Sequence, residues 1–315
     1  MKKILILLAL TCMMTSCYED YLSDYEYPKM GFAYKGQVRT IVSDNPSTYI
    51  GVAIAGKREL DLGEWASFVV DPSLLDGKAY TLLPAEYYTL GDNNTMRARR
   101  TNIYTADVQI TLNQRFFSDK KSTGYNYALP LRIVGTSFKN EFYSSEPAGT
   151  TPDIMEEGQT AIIVFKYISE YSGTYYKMGT EVEITADGDE IGEEVEYDID
   201  DLSKNITATL STVNTRELKY TGIGSTTESV MNMTLVPVPG AKAYNVRLTG
   251  KKGIEIISQE CRYLLEGDYT FYGGEEIAPQ FELNYVYKSG TAYYKVKEKL
   301  VLRQRPAKDL RAEIF

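Results

Sequence analysis

The chain has 315 residues and a net charge of −9, from 43 acidic and 34 basic side chains, and it contains no histidine. Such a surface repels nucleic acid and anionic lipid head groups, so neither is expected as a partner. Without imidazole the commonest general base and the commonest zinc ligand are both missing, which excludes Ser-His-Asp triads and Cys-His dyads.

The N-terminus reads as an export signal. Lys2 and Lys3 form a cationic start, Ile4 to Leu10 is an unbroken apolar run, and Met14-Thr15-Ser16 leads to Cys17. The run is far short of the roughly 20 apolar residues that a bilayer-spanning helix needs, so residues 1–16 are read as a signal peptide. Met14-Thr15-Ser16-Cys17 resembles the lipobox of bacterial lipoproteins, which implies that Cys17 is acylated and becomes the first mature residue. Cys12 then leaves with the signal, Cys261 is a lone thiol, and no disulfide framework is possible. Residues 17–30 are acidic and tyrosine-rich without a period, and read as a tether. Their opening Tyr18-Glu19-Asp20-Tyr21 is similar to the surface-export signal of Bacteroidetes lipoproteins. That similarity implies an outer-membrane protein, held by its lipid and facing the cell exterior.

From residue 31 short runs rich in Val, Ile, Thr and Tyr alternate with Gly, Asn, Asp and Pro. Strands are predicted over 37–43, 49–55, 66–71, 79–83, 103–112, 127–134 and 160–168. Short strands with turn signals between them suggest an immunoglobulin-like antiparallel β-sandwich over 31–169. Tyr49 to Ala55 is apolar on both faces and is expected in the middle of its sheet. Leu60 to Trp65 and Pro84 to Tyr88 are each expected to form a helical turn or two at most. The stretch 137–158, with Pro147, Gly149 and Pro152, reads as loop.

A second antiparallel β-domain is predicted over 170–315, making the chain all-β. Its strands are expected at 171–185, 193–199, 205–213, 216–221, 229–237, 242–249, 261–266, 268–272, 278–288 and 291–303. Phe281, Leu283, Tyr285 and Tyr287 share one face, with Glu282, Asn284 and Lys288 on the other. After the turn at Ser289-Gly290, Tyr294, Val296, Leu300 and Leu302 oppose Lys295, Lys297 and Lys299. This is a hairpin with one dry and one wet face. Periodicity does not separate a closed barrel from a second sandwich.

Two stretches of the first domain carry a family resemblance. Tyr80-Thr81-Leu82-Leu83-Pro84-Ala85-Glu86-Tyr87-Tyr88-Thr89-Leu90 is similar to the LP…YY segment of domain-of-unknown-function family 1735. Tyr127-Ala128-Leu129-Pro130-Leu131-Arg132-Ile133 resembles that family's YxLPLxI strand. Gly173-Thr174-Tyr175 and Phe281-Glu282-Leu283-Asn284-Tyr285 are similar to segments of the companion C-terminal domain, family 4361. The resemblance implies a Bacteroidetes surface lipoprotein serving a starch-utilisation-type glycan uptake system beside an outer-membrane transporter. Some relatives carry a family 18 glycosidase behind the first domain. Here Asp198-Ile199-Asp200-Asp201 lacks the Glu that such an enzyme requires, and too few residues follow residue 170 for a (β/α)₈ barrel. A non-catalytic binding role without a cofactor is therefore expected.

Asp187-Gly188-Asp189-Glu190-Ile191-Gly192 begins like a calcium loop, but Ile191 occupies a ligand position and Asp198 stands where a bidentate Glu belongs. A solvated hairpin tip is the simpler reading, and no metal is expected. Gly222-Ile223-Gly224-Ser225 reads as a turn between strands rather than a phosphate cradle. Sugars offer flat apolar faces ringed by hydroxyls, so oligosaccharide or polysaccharide sites combine an aromatic platform with polar partners. Alternation assigns Tyr244, Tyr269, Tyr285, Tyr287 and Tyr294 to packing. Trp65, Tyr272 and Tyr293 fall on the polar phase or in loops and are the candidate glycan-binding residues. The alternative is a structural or adhesive lipoprotein that recognises another protein.

Overall fold

The computed structural model describes residues 28–138, 153–226, 229–271, 274, 276–303 and 313–314. The predicted signal peptide, Cys17, most of the 17–30 tether and Tyr272 lie outside the described residues. Among those described, no helix is long and apolar enough to cross a membrane.

The first ten strands are β1 (Lys29–Gly31), β2 (Gly36–Val42), β3 (Ser47–Ala55), β4 (Trp65–Val70), β5 (Thr81–Leu82), β6 (Tyr88–Leu90), β7 (Thr95–Ala98), β8 (Thr105–Leu112), β9 (Tyr127–Thr136) and β10 (Thr160–Ile168). They form one sheet in the order β1-β3-β8-β7-β4-β9-β10-β2, with β5 beside β9 and β6 beside β8. All pairings are antiparallel except β10 with β2 and β5 with β9. The sandwich is thus a single sheet curled over its own core. The curl turns at β4, whose Trp65–Ser67 pairs with β7 while Ala66–Val70 pairs with β9 across a bulge at Ser67/Phe68. A bulge bends and twists a strand, which lets β4 serve both halves. Ile50, Val52, Phe68, Val108, Ile110, Leu131, Ile163 and Phe165 fill the enclosed side.

The two family-like stretches stitch this domain together. Leu83 is buried, and the Tyr87 hydroxyl donates to Asp119 Oδ2 at 3.0 Å. The Tyr127 hydroxyl, from β9, donates to the same carboxylate oxygen. Tyr127 leads this pair in holding the Asp119 carboxyl below its ordinary range, against the opposing pull of burial. Asp119 lies after a helical turn, Gln114–Ser118, that inserts Phe116 and Phe117 against Tyr167. The expected turn over Pro84 to Tyr88 is present as a 3₁₀ turn at Ala85–Tyr87, while Leu60 to Trp65 forms no helix.

The second set is β11 (Gly173–Ile184), β12 (Val195–Glu196), β13 (Ile206–Asn214), β14 (Glu217–Thr221), β15 (Val230–Pro237), β16 (Ala243–Gly250), β17 (Ile254–Leu264), β18 (Gln280–Ser289) and β19 (Ala292–Leu302). β11 and β13 to β19 are antiparallel neighbours, and β19 returns to pair with β11 from Tyr175↔Leu302 to Ile184↔Tyr293. The sheet therefore closes as an eight-stranded barrel, which periodicity alone left open. Phe281, Leu283, Tyr285 and Tyr287 point inward as alternation requires. The described part of the predicted strand 268–272 forms no strand and only an isolated bridge between Thr270 and Ile277, while 261–266 is the end of β17, which starts seven residues earlier. The polar run Ser258-Gln259-Glu260 hid its start; the Gln259 amide bonds the backbone of Leu248 where β16 and β17 part. The chain end, β20 (Glu313–Ile314), pairs with β2 in the first sheet.

Candidate functional site

The outer face of the first sheet gathers an aromatic pair and a set of charges through strand register. Partners in an antiparallel ladder lie side by side on the same face. Trp65 pairs with Arg97, Arg97 with Asp107, and Asp107 with Gly51, so one row crosses β4, β7, β8 and β3. Tyr49 lies two residues along β3 from Gly51 and shares its face. Strands stand about 4.8 Å apart, which places Trp65 and the Tyr49 strand about 14 Å apart across the sheet.

The Tyr49 ring is 49 % exposed, and the Arg99 guanidinium sits 5.7 Å from its centroid. Arg99 Nε donates to Asp107 Oδ1 at 2.8 Å, and Arg97 Nε donates to Asp92 Oδ2 at 2.6 Å. Arg97 is the leading cause that lowers the Asp92 carboxyl pKa. Tyr49, Arg99, Arg100, Ile103, Thr105 and Asp107 enclose a cavity of about 190 Å³. Gly51 belongs to the floor of this face. A Cβ there would stand 2.4 Å from the Ala106 carbonyl oxygen, so only glycine permits the close β3–β8 approach that leaves the face flat beside Tyr49.

Trp65 is half-buried at the start of β4 and points away from the core that its neighbours Ala66 and Phe68 enter. Its backbone N–H donates to Ser137 Oγ at 3.0 Å, and its carbonyl accepts from the Ser137 N–H at 2.8 Å. The indole passes beside Gly135, which offers no side chain to obstruct it. The chemistry available on this face is stacking on an aromatic ring combined with directional bonds from guanidinium, carboxylate and hydroxyl groups.

Residues 19–140 match a family model described as an N-terminal domain. A crystal structure of a Bacteroides ovatus protein of unknown function has a TM-score of 0.69 at 18% identity, covering 93% of this chain and 99% of the other. It shares the fold. A multidomain protein including domain-of-unknown-function family 1735, also from Bacteroides ovatus, is similar with a TM-score of 0.41 at 12% identity, covering 88% and 94% of the two chains. EndoBT-3987 of Bacteroides thetaiotamicron, solved with a Man5GlcNAc product, matches 47% of this chain and 33% of its own at 15% identity and a TM-score of 0.29. None of the curated proteins compared with the chain matches it. The family model covers most of the first predicted domain, and the fold shared with the Bacteroides ovatus protein of unknown function extends over most of the chain.

Of the other sequence candidates, Tyr293 is not brought to this face. Tyr293 is on β19 of the barrel, half-buried, with Lys288 Nζ 5.2 Å from its ring centroid. Tyr272 and Cys17 lie outside the described residues. The barrel carries its own groove of about 340 Å³, lined by Tyr269, Asp198, Glu282, Asn284, Lys297 and Lys299 among others. There Tyr269 is a packing residue. Its hydroxyl meets Met178 Sδ at 3.6 Å, and the ring joins a small cluster with Ala278 and Val301 outside the barrel. The segment 187–196 is exposed, and among the described residues no group of three His, Cys, Asp or Glu side chains could hold a metal.

Tyr49, Arg99 and Asp107 escaped the sequence reading. Tyr49 begins a run whose residue types are apolar on both faces, yet β3 alternates, with Ile50, Val52 and Ile54 inward and Tyr49, Gly51 and Ala53 outward. The outward positions are aromatic or small rather than polar, so hydropathy gave no sign of a wet face.

Proposed function

We propose that the protein is a non-catalytic, lipid-anchored surface protein that captures glycans on the outer face of its first sheet. It would deliver them to an outer-membrane uptake system. The half-exposed Tyr49 ring under Arg99, on the same face as Trp65, carries this reading. The lipobox-like Met14-Thr15-Ser16-Cys17, the acidic residues behind it and the resemblance to families 1735 and 4361 support the same role.

Covering one aromatic face with a sugar ring contributes on the order of 1–2 kcal/mol at about 25 cal/mol per Å². Two such platforms give about 2–4 kcal/mol together, so their affinity reaches about 1 mM only at the upper end, where about 4 kcal/mol is needed. Many copies on one cell then supply the avidity that capture requires. A glycan array probed with the purified chain tests the reading. Trp65→Ala and Tyr49→Ala should each weaken binding several-fold with the fold intact, while Tyr285→Ala, which empties a buried barrel position, should lower thermal stability instead. If no glycan binds at millimolar concentration, recognition of a protein partner replaces glycan capture. Cys17→Ala should leave the protein unprocessed or soluble, and full membrane retention of that variant would remove the lipid anchor from the proposal.

A further inference from the structure

We infer that the Tyr49 cavity takes a carboxylated sugar, a uronic acid unit, in preference to a neutral one. This inference rests on the glycan-binding reading of the same face and adds the ligand class. The cavity holds two arginines, Arg99 and Arg100, against one carboxylate, Asp107, and so is locally cationic in a chain of net charge −9.

The two arginines are not equivalent. Arg99 spends its Nε on Asp107, which fixes the guanidinium beside the Tyr49 ring. Arg100 is exposed, lines the same cavity, and makes no ion pair among the described residues. A planar guanidinium fork matches a carboxylate with two parallel bonds, a geometry that a neutral hydroxymethyl group does not offer. The apolar face of the sugar would lie on Tyr49, in a cavity that Thr105 also lines.

The cations nearest to this cavity and those of the barrel groove have acidic neighbours. On the same face Arg97 is taken by Asp92 at 2.6 Å. In the barrel groove Lys299 is taken by Asp268 at 2.5 Å, and Glu282 is bonded by Arg262. Lys297 also lines that groove, but two lysines there face three carboxylates, Asp198, Glu282 and Glu298, so the groove is net acidic and disfavours an anionic sugar. The Tyr49 cavity has the opposite balance, with Arg100 as its cation without an ion pair among the described residues.

The test titrates the full chain with uronic-acid oligosaccharides and with the same oligosaccharides after reduction of their carboxyl groups. The acid form should bind about tenfold more tightly, as one charge-assisted contact allows. That advantage should shrink as salt rises from about 50 mM to about 500 mM, because the site is at the surface. Arg100→Ala should bring the two affinities together, and Arg100→Lys should restore part of the difference. Equal or tighter binding of the reduced form overturns the uronic-acid inference and leaves the glycan reading standing. Binding of neither form, nor of any other glycan, overturns both.

Discussion

Inside the barrel, Lys177 offers the sharpest energetic test of the fold. Its side chain is 3 % exposed and its Nζ lies 3.3 Å from Glu298 Oε1, itself fully buried. The ammonium also donates to the carbonyl oxygens of Gly222 and Gly224, so three acceptors meet three protons. Glu298 accepts in turn from the hydroxyls of Tyr197 at 3.1 Å and Tyr285 at 3.4 Å. Beside it, Glu181 accepts from Tyr287 at 2.7 Å and from the Ser225 N–H at 2.9 Å. Lys177 and Glu298 stand on β11 and β19, the two strands whose pairing closes the barrel. At 3.3 Å and an effective dielectric of about 20 their attraction is about 5 kcal/mol, much of it offset by desolvation. Removing one partner leaves the other charge stranded, so Lys177→Met should cost about 3–5 kcal/mol. For a unit of this size that lowers Tm by roughly 6–20 °C. Burial already raises the Glu298 carboxyl above its ordinary range, with Lys177 the main opposing influence. A carboxyl raised in the folded state destabilises at high pH and recovers as pH falls through its folded pKa. The variant's deficit should therefore be larger near pH 8 than near pH 5. Lys177→Met combined with Glu298→Gln should recover most of the loss, because no charge is then stranded and the amide accepts from one tyrosine hydroxyl while its N–H donates to the oxygen of the other. Thermal melts across pH decide it. A single variant within about 1 kcal/mol of wild type at both pH values would show that the ion pair does not hold the barrel shut.

Asp119, held low by Tyr127, Lys121 and Tyr87, should contribute stability above the ordinary aspartate pKa of about 3.9 and lose it as pH falls through its lower folded value. Asp119→Asn should therefore melt lower than wild type at neutral pH and converge with it in acid, as followed by circular dichroism. The Cys261 thiol is buried, donates to the Asn284 carbonyl at 3.5 Å, and is pushed up to about 12 by burial. It should resist alkylation at pH 8 in the native protein and react at once in denaturant; rapid native labelling would place it at the surface.

Alternation along single strands carried much of the fold into view. The hairpin of β18 and β19 follows it with Val286 and Val301 as apolar exceptions on the outward phase, and it even marks the ion pair. Glu298 interrupts the inward series Val296, Leu300 and Leu302, and Lys177 follows Tyr175 on the inward side of β11. A charge on a dry phase is a signal that something across the barrel answers it, though the answering strand is far away in sequence. Strand order was less accessible. β3, β8, β7 and β4 are neighbours in an order the chain does not follow, and loops of different lengths separate them.

The candidate face depends on that order. Trp65 alone is an aromatic at a strand start, and Arg97 and Asp107 alone are solvated charges. The row Trp65–Arg97–Asp107–Gly51 exists because β7 lies between β4 and β8 and because Gly51 lets β3 approach β8 closely. A one-residue slip of β3 would turn Tyr49 into the core and put Ile50 on the face. The buried Ile50, Val52 and Ile54 oppose that slip, each holding apolar area that would otherwise meet water. The core side of β3 thus sets which aromatic reaches solvent, and the site follows from the packing beneath it rather than from any motif on its own surface.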